Sequence, residues 1–242
     1  MQRRTLTELA NNPDLISGIY NYCDRWCERC PLTSRCLVYA TEQEDDDSPE
    51  NRDLRNEAFW RKLSVIFQET REMIVDWAQN AGVDFNAFAE EDEARHKRKR
   101  QLVDNHPLTK AGKKYANAAS DWLREFEQMF EVTDLEDARE VIQWYQYQIA
   151  VKTMRALSGR KEELEDREIA NFPKDSDGSV KVALIGIDRS IAAWRMMQLS
   201  LPDRVESIVP LILQLERLRL RLENGFPQAR EFVRPGFDDI MN

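Results

Sequence analysis

The sequence has 242 residues, with 35 Lys and Arg against 44 Asp and Glu, so its formal charge is −9. With 42% hydrophobic and 33% charged residues it describes a globular chain rather than a disordered one, long enough for one large core or two small ones. Glycine is scarce, with 8 in all and no two at a phosphate-loop or dinucleotide spacing, which argues against P-loop and Rossmann chemistry. His96 and His106 are the two histidines, which excludes His-rich catalytic or metal sites.

Read in chain order, the pattern is helical almost throughout. Pro13 suits a first helical turn with Asn12 as its cap, which predicts a helix from about Pro13 to Cys30. Pro31 turns the chain, Thr33 caps a short second helix to about Thr41, and the acidic stretch Glu42 to Glu50 reads as a solvated linker. Phe59, Leu63, Ile66, Phe67, Ile74, Trp77 and Ala81 recur at helical spacing, with Gly82 as terminator. Another helix is expected from about Asp84 to Val103.

Leu108, Ala111, Tyr115, Ala118, Trp122, Phe126 and Met129 form the next seam. Thr133 and Glu136 make a capping box that opens a helix with Leu135, Ala138, Ile142, Tyr145, Ile149 and Leu157 on one side. Asn171 to Gly178 is a turn-rich break. Helices from about Ser179 to Leu199 and Asp203 to Glu223 complete the chain. Leu218 to Leu222 alternates as a strand would, but its place at the end of a long helical pattern decides for helix. The expected architecture is all-α, an antiparallel helical bundle over residues 51–242. An N-terminal cysteine-bearing hairpin and acidic linker over residues 1–50 pack on or beside it, and the two stretches are compatible with one continuous domain. The six tryptophans are expected in the core. Lys152 and Asp188, charges on apolar seams, are expected to pair across the bundle.

All four cysteines fall in one segment, Cys23-Asp24-Arg25-Trp26-Cys27-Glu28-Arg29-Cys30-Pro31-Leu32-Thr33-Ser34-Arg35-Cys36. Such clustering in a reducing compartment points to metal rather than to disulfides. Four thiolates suit either a tetrathiolate zinc or a [4Fe–4S] cluster. Structural zinc usually takes two short-spaced pairs separated by a longer loop, and there is no second pair here. Zinc–sulfur bonds of ~2.3 Å also draw the ligands tightly together, whereas Cys23 and Cys27 on one helix would start ~5–6 Å apart, which suits a bulkier cube. Arg25, Arg29 and Arg35 interleave with the ligands and offset thiolate charge. Cys23, Cys27, Cys30 and Cys36 are therefore the expected metal ligands, with [4Fe–4S] the expected cofactor and zinc the alternative.

Cys27-x2-Cys30-Pro31-Leu32-x3-Cys36 resembles the end of the [4Fe–4S] loop in the endonuclease III and adenine DNA glycosylase class of repair enzymes. The resemblance covers ten residues and implies a ligand role for Cys27, Cys30 and Cys36. Cys23 is supplied by this sequence's own spacing, because that family separates its first two cysteines by more residues. The family's glycine-rich DNA-gripping hairpin is missing, so glycosylase activity is not implied. Cys23-x3-Cys27-x2-Cys30 also matches the radical-SAM triplet, but the fourth cysteine and the lack of alternating strands and helices rank that reading low.

Two further patterns carry chemistry. Glu93-x-x-His96 matches half of a ferritin-like dimetal motif, for which Glu69, Glu72 and Glu140 would supply carboxylates; a second Glu-x-x-His does not occur. Arg95 to Arg100 is a basic run of the kind that contacts nucleic acid, although the preceding acids Glu90 to Glu93 favour a solvated helix with i,i+4 pairs Glu91–Arg95 and Glu93–Lys97. The amino terminus lacks the apolar core of a secretory signal, and no apolar run reaches the ~20 residues of a membrane span. The reading at this stage is a cytoplasmic metal-binding helical protein of structural, redox or regulatory role, with no reaction assigned and no membrane partner. Alternatives are a dimetal-carboxylate enzyme or a zinc-stabilised nucleic-acid-associated protein. Homo-oligomerisation stays open.

Overall fold

Helical periodicity becomes helical structure over most of the described residues. A computed structural model describes residues 6–44, 53–81, 91–129, 134–165 and 175–238, and these contain eight α-helices, with no strand among them. Two compact units result, one of residues 1–20 and 25–95, the other of residues 21–24 and 96–242. No helix among the described residues is long and apolar enough to cross a membrane.

In the first unit, α1 (Leu6–Ala10) packs against α2 (Leu37–Glu44) and α3 (Glu57–Ala81). Asn56 caps α3, its Oδ1 accepting the Ala58 N–H at 3.0 Å. The expected helix from Pro13 to Cys30 does not form. Asn12 Oδ1 instead accepts the Asp14 N–H at 3.0 Å, closing an Asx turn. Gly18 and Arg25 then take φ values of 73° and 57°, left-handed conformations that a right-handed helix cannot pass through. Single 3₁₀ turns at Ile19–Asn21 and Cys27–Arg29 are what remains. The predicted helix from Thr33 to Thr41 also divides, into a 3₁₀ turn at Thr33–Arg35 and α2, with Cys36 extended between them. Residues 45–52, most of the expected acidic linker, and Gly82 lie outside the described residues.

α4 (Glu91–Asn105) leads into the second unit, where α5 (Pro107–Glu125), α6 (Glu136–Glu165), α7 (Asp175–Ser200) and α8 (Val205–Gly225) form a ring of contacts. α5 packs on α6 and α8, and α7 packs on α6 and α8. Tyr115, Ile142, Tyr145, Ile149 and Leu215 of the predicted seams are each exposed by 1% or less, and so are Leu184, Ile187 and Trp194 of α7, for which no seam was expected. Each such side chain contributes roughly 1.5–3 kcal/mol by leaving water. Leu218 and Leu222 are buried while Leu220 is exposed, the i,i+4 signature of a helix. Thr133 of the expected capping box lies outside the described residues, as do residues 171–174 of the expected break; Gly178 falls inside α7.

Trp194 donates its indole N–H to the Tyr115 hydroxyl at 3.0 Å, and burial pushes that hydroxyl up to about 12. Trp122 stands edge-on to Trp194 with centroids 5.0 Å apart and donates to Ser207 Oγ at 2.9 Å, tying α5, α7 and α8 together. Trp60 corrects the expectation for tryptophan: it is 54% exposed, with its indole N–H on the Leu54 carbonyl. The expected Lys152–Asp188 pair is corrected too. Asp188 meets Arg219 at 3.2 Å and Arg230 at 2.7 Å, whereas the Lys152 ammonium donates to the Asn21 carbonyl at 3.0 Å.

Two features of this unit are directly testable. A Cβ on Gly186 would lie 2.9 Å from Tyr145 Cδ1, so Gly186→Ala is expected to lower stability by about 1–3 kcal/mol through overpacking between α6 and α7, read from urea unfolding. Near the end of the chain, burial raises the Asp238 pKa, but bonds from Arg234 and Lys181 outweigh it and hold the carboxyl well below its ordinary value. A depressed carboxyl stabilises the fold above its unfolded pKa of ~3.9 and loses that contribution as pH falls through its folded value. The melting-temperature gap between the native chain and Asp238→Asn should therefore narrow from pH 7 to pH 3; a constant gap refutes the ion-pair account.

Candidate functional site

The cysteine segment is built from tight turns. In the first, the Cys30 N–H donates to the Cys27 carbonyl at 3.1 Å, and Cys30 leaves the turn extended at φ −88°, ψ 123°. The second repeats the device: the Cys36 N–H donates to the Thr33 carbonyl at 3.2 Å, and Cys36 is extended at φ −111°, ψ 120°. Between them the Leu32 N–H points at Cys30 Sγ, 3.4 Å away. A backbone N–H aimed at sulfur is the kind of bond that tunes a metal-bound sulfur. Arg35 anchors the second turn, its carbonyl accepting the Ile16 N–H at 2.9 Å and its Nε donating to the Asp14 carbonyl at 3.3 Å.

Cys23 belongs to a different setting. The stretch Asn21–Asp24 is bound to the helices of the second unit by a set of long-range hydrogen bonds. The Asp24 carboxylate accepts from Tyr145 Oη at 2.5 Å and from Arg189 at 2.8 Å, and Arg189 also reaches the same hydroxyl. The Asp24 carbonyl accepts from Trp144 Nε1 at 2.8 Å and from Gln148 Nε2. Tyr22 donates to Asp175 at 3.0 Å, and its ring packs on Phe232 with centroids 4.7 Å apart. A Cβ on Gly178 would fall within 2.6 Å of that Tyr22 ring, so the glycine is what admits it. Burial and the Asp24 bond both raise the Tyr145 hydroxyl, which therefore stays protonated and donates.

Cys23, Cys27, Cys30 and Cys36 are all half-buried and none is in a disulfide. Among the described residues, no group of three or more His, Cys, Asp or Glu side chains is gathered in a way that holds a metal ion. Each of the four thiols is unbridged and partly exposed, and Cys30 has an N–H donor at its sulfur. Arg25, Arg29 and Arg35 are exposed beside them, with Arg29 stacked over Trp26 at 4.2 Å.

For the second set expected from the sequence, no metal-holding group is found among the described residues either. Glu69 is half-buried and Glu72 exposed on α3, where Glu72 accepts from Gln68 at 3.0 Å. His96 is exposed on α4, Glu140 is half-buried on α6, and the Glu93 side chain lies outside the described residues, as does the acid of each expected Glu91–Arg95 and Glu93–Lys97 pair. Arg95, Lys97, Arg98 and Arg100 are exposed on α4, and His96, Lys99 and Arg100 line a groove with Arg155 and Ser158.

Sequence reading missed Asp24, Tyr22, Trp144, Gln148 and Arg189. The one signal pointing toward this cluster was Lys152, a cation on an apolar seam that demanded a partner. Comparison with known protein families, with curated proteins and with solved structures finds no match to this chain.

Asp24 and Tyr145 share a bond, so their substitutions should not add. Asp24→Asn and Tyr145→Phe are each expected to cost about 0.5–2 kcal/mol, and the double variant less than the sum by at least ~0.5 kcal/mol, measured by denaturant unfolding. Strict additivity would remove the shared bond from the account.

Proposed function

We propose that Cys23, Cys27, Cys30 and Cys36 together ligate one inorganic centre, a [4Fe–4S] cluster with zinc as the alternative occupant. The protein is then a metal-dependent binding or regulatory module of a reducing, cytoplasmic compartment, not an enzyme with an open metal position. The observation that carries the reading is the confinement of every cysteine of the chain to one 14-residue segment of turns, half-exposed and without a disulfide. The Leu32 N–H beside Cys30 Sγ and the resemblance of Cys27–Cys36 to a known cluster loop support it. Four thiolates fill the ligand set of such a cluster, so it supplies cross-linking of the segment or single-electron transfer rather than substrate binding. The chain's own residues do the rest. Asp24, held by Tyr145, Arg189, Trp144 and Gln148, fixes the backbone next to Cys23, and Arg25, Arg29 and Arg35 offset the anionic charge of the thiolates.

The full chain purified without oxygen is expected to carry iron and inorganic sulfide in equal amounts, and both should fall sharply on replacing Cys27, Cys30 or Cys36 by Ser. Zinc without sulfide decides for the alternative. A protein that retains neither metal, or whose metal survives all four Cys→Ser changes, overturns the proposal. Asp24→Ala is expected to leave Cys27, Cys30 and Cys36 competent while slowing or weakening loading at Cys23, read as lower iron per chain at equal expression.

A further inference from the structure

The basic run of α4 acquires a second wall in the folded chain. His96, Lys99, Arg100 and Val103 recur at three- and four-residue intervals, so they share one face of α4. That face borders a groove whose other lining residues, Met154, Arg155 and Ser158, share one face of α6. Both helices therefore bring cations to the groove, Lys99 and Arg100 from α4 and Arg155 from α6. Arg155 is held in position: Asp175 accepts from its Nε at 3.2 Å and from a terminal nitrogen at 3.0 Å, and Tyr22 donates to the same carboxylate at 3.0 Å. This fixes the plane of the guanidinium while using two of its five N–H donors, which leaves donors for a second acceptor. Lys97 and Arg98 are exposed on other faces of α4, so the positive charge continues past the groove.

We infer that this groove binds the phosphate backbone of duplex nucleic acid, without reading its bases. Lys and Arg are the side chains that meet phosphate oxygens, and such contacts carry no sequence information. From His96 to Val103 the face runs about 10 Å, enough to meet several phosphates of a duplex that carries one charge per ~1.7 Å of axis. The groove lining has no aromatic ring on which a base would stack, which argues against a single strand or a free nucleotide. A lipid surface is disfavoured as well. Between Arg95 and Asn105 the apolar residues of α4 are Leu102 and Val103, and two neighbours do not make the apolar face that an interfacial helix buries. The chain as a whole carries −9, so the attraction is local to this patch and salt should weaken it steeply.

The test is fluorescence anisotropy of labelled duplex DNA and duplex RNA titrated with the full chain over a salt series. At least one duplex is expected to bind with a Kd of roughly 1–100 µM at physiological salt, and log affinity should fall with log salt at a slope near −3 or steeper, for Lys99, Arg100 and Arg155 on a phosphate each. Arg155→Ala should flatten that slope by about one, and Lys99→Gln with Arg100→Gln by about two. Helical circular dichroism is followed in parallel; if Arg155→Ala loses helicity, the paired substitution on α4 decides alone. Failure of both duplexes to bind at low salt, or a slope that the substitutions leave unchanged, overturns the inference. So does tighter binding to phosphatidylserine vesicles than to either duplex, or displacement of the duplex by inorganic phosphate or polyglutamate at matched ionic strength.

Discussion

The carboxylate of Asp24 is the point on which the amino-terminal third of this protein turns. An ionised carboxylate packed against a buried tyrosine is unfavourable unless its oxygens are bonded. Here Tyr145 and Arg189 supply the donors, and Trp144 and Gln148 hold the carbonyl of the same residue. The result is that a residue from an irregular stretch behaves as part of a helical bundle. Tyr22 on Asp175 and Lys152 on the Asn21 carbonyl extend the attachment over four consecutive residues. Cys23 lies inside that stretch, so its backbone is fixed by its neighbours on either side. Immediately afterwards Arg25 enters a left-handed conformation, and the chain leaves on a new course toward Cys27.

This arrangement explains what could be read in advance and what could not. The seams of α5, α6 and α8 announce themselves because many apolar residues agree on one period, and many buried residues of these helices are ones the period selects. The stretch from Pro13 to Cys30 has helix-compatible residues but spends its hydrogen bonds elsewhere. Asp24 bonds to residues 120 and more positions away, a partner set that no local window contains. Lys152 shows the same limit from the other side: a buried cation must find an acceptor, and it did, but the acceptor is a main-chain carbonyl from the irregular stretch rather than Asp188. Asp188 in turn meets two arginines from α8 and the chain beyond it. Trp60 fails for a third reason. Periodicity marks a residue as apolar and places it on a face, but it is blind to whether anything covers that face.

The thiols were legible as a set because they are so few and so close in sequence, whereas the turns that carry them were not. Those turns matter chemically. Cysteines inside a helix would have their N–H groups committed to carbonyls one turn back, leaving none for sulfur. Cys30 ends a 3₁₀ turn in an extended conformation, and beyond Pro31, which has no N–H, the Leu32 N–H points at the sulfur. Cys36 follows the same plan and then starts α2, its carbonyl accepting the Ala40 N–H at 2.9 Å.

Between Asn12 and Cys36 one side chain, Ile19, is fully buried, so this stretch gains little from leaving water. Fixing backbone costs about 1–2 kcal/mol per residue, and neutral hydrogen bonds return only about 0.5–1.5 kcal/mol each. A polypeptide segment in that position is ordered by whatever else it binds. Thiolate-bound metal is a strong candidate for that role on physical grounds, since a structural zinc contributes about 10–16 kcal/mol that appears directly as folding free energy. The bonds around Asp24 then have a distinct part to play. They order one end of the stretch by themselves, which would leave fewer residues to be fixed by the metal proposed above. Pre-ordering raises affinity by reducing the entropy lost on binding rather than by adding a ligand. The two features of this protein least visible to local pattern, a distant carboxylate anchor and a left-handed arginine, thus sit on either side of the point where the chain passes from Cys23 toward the other clustered thiols.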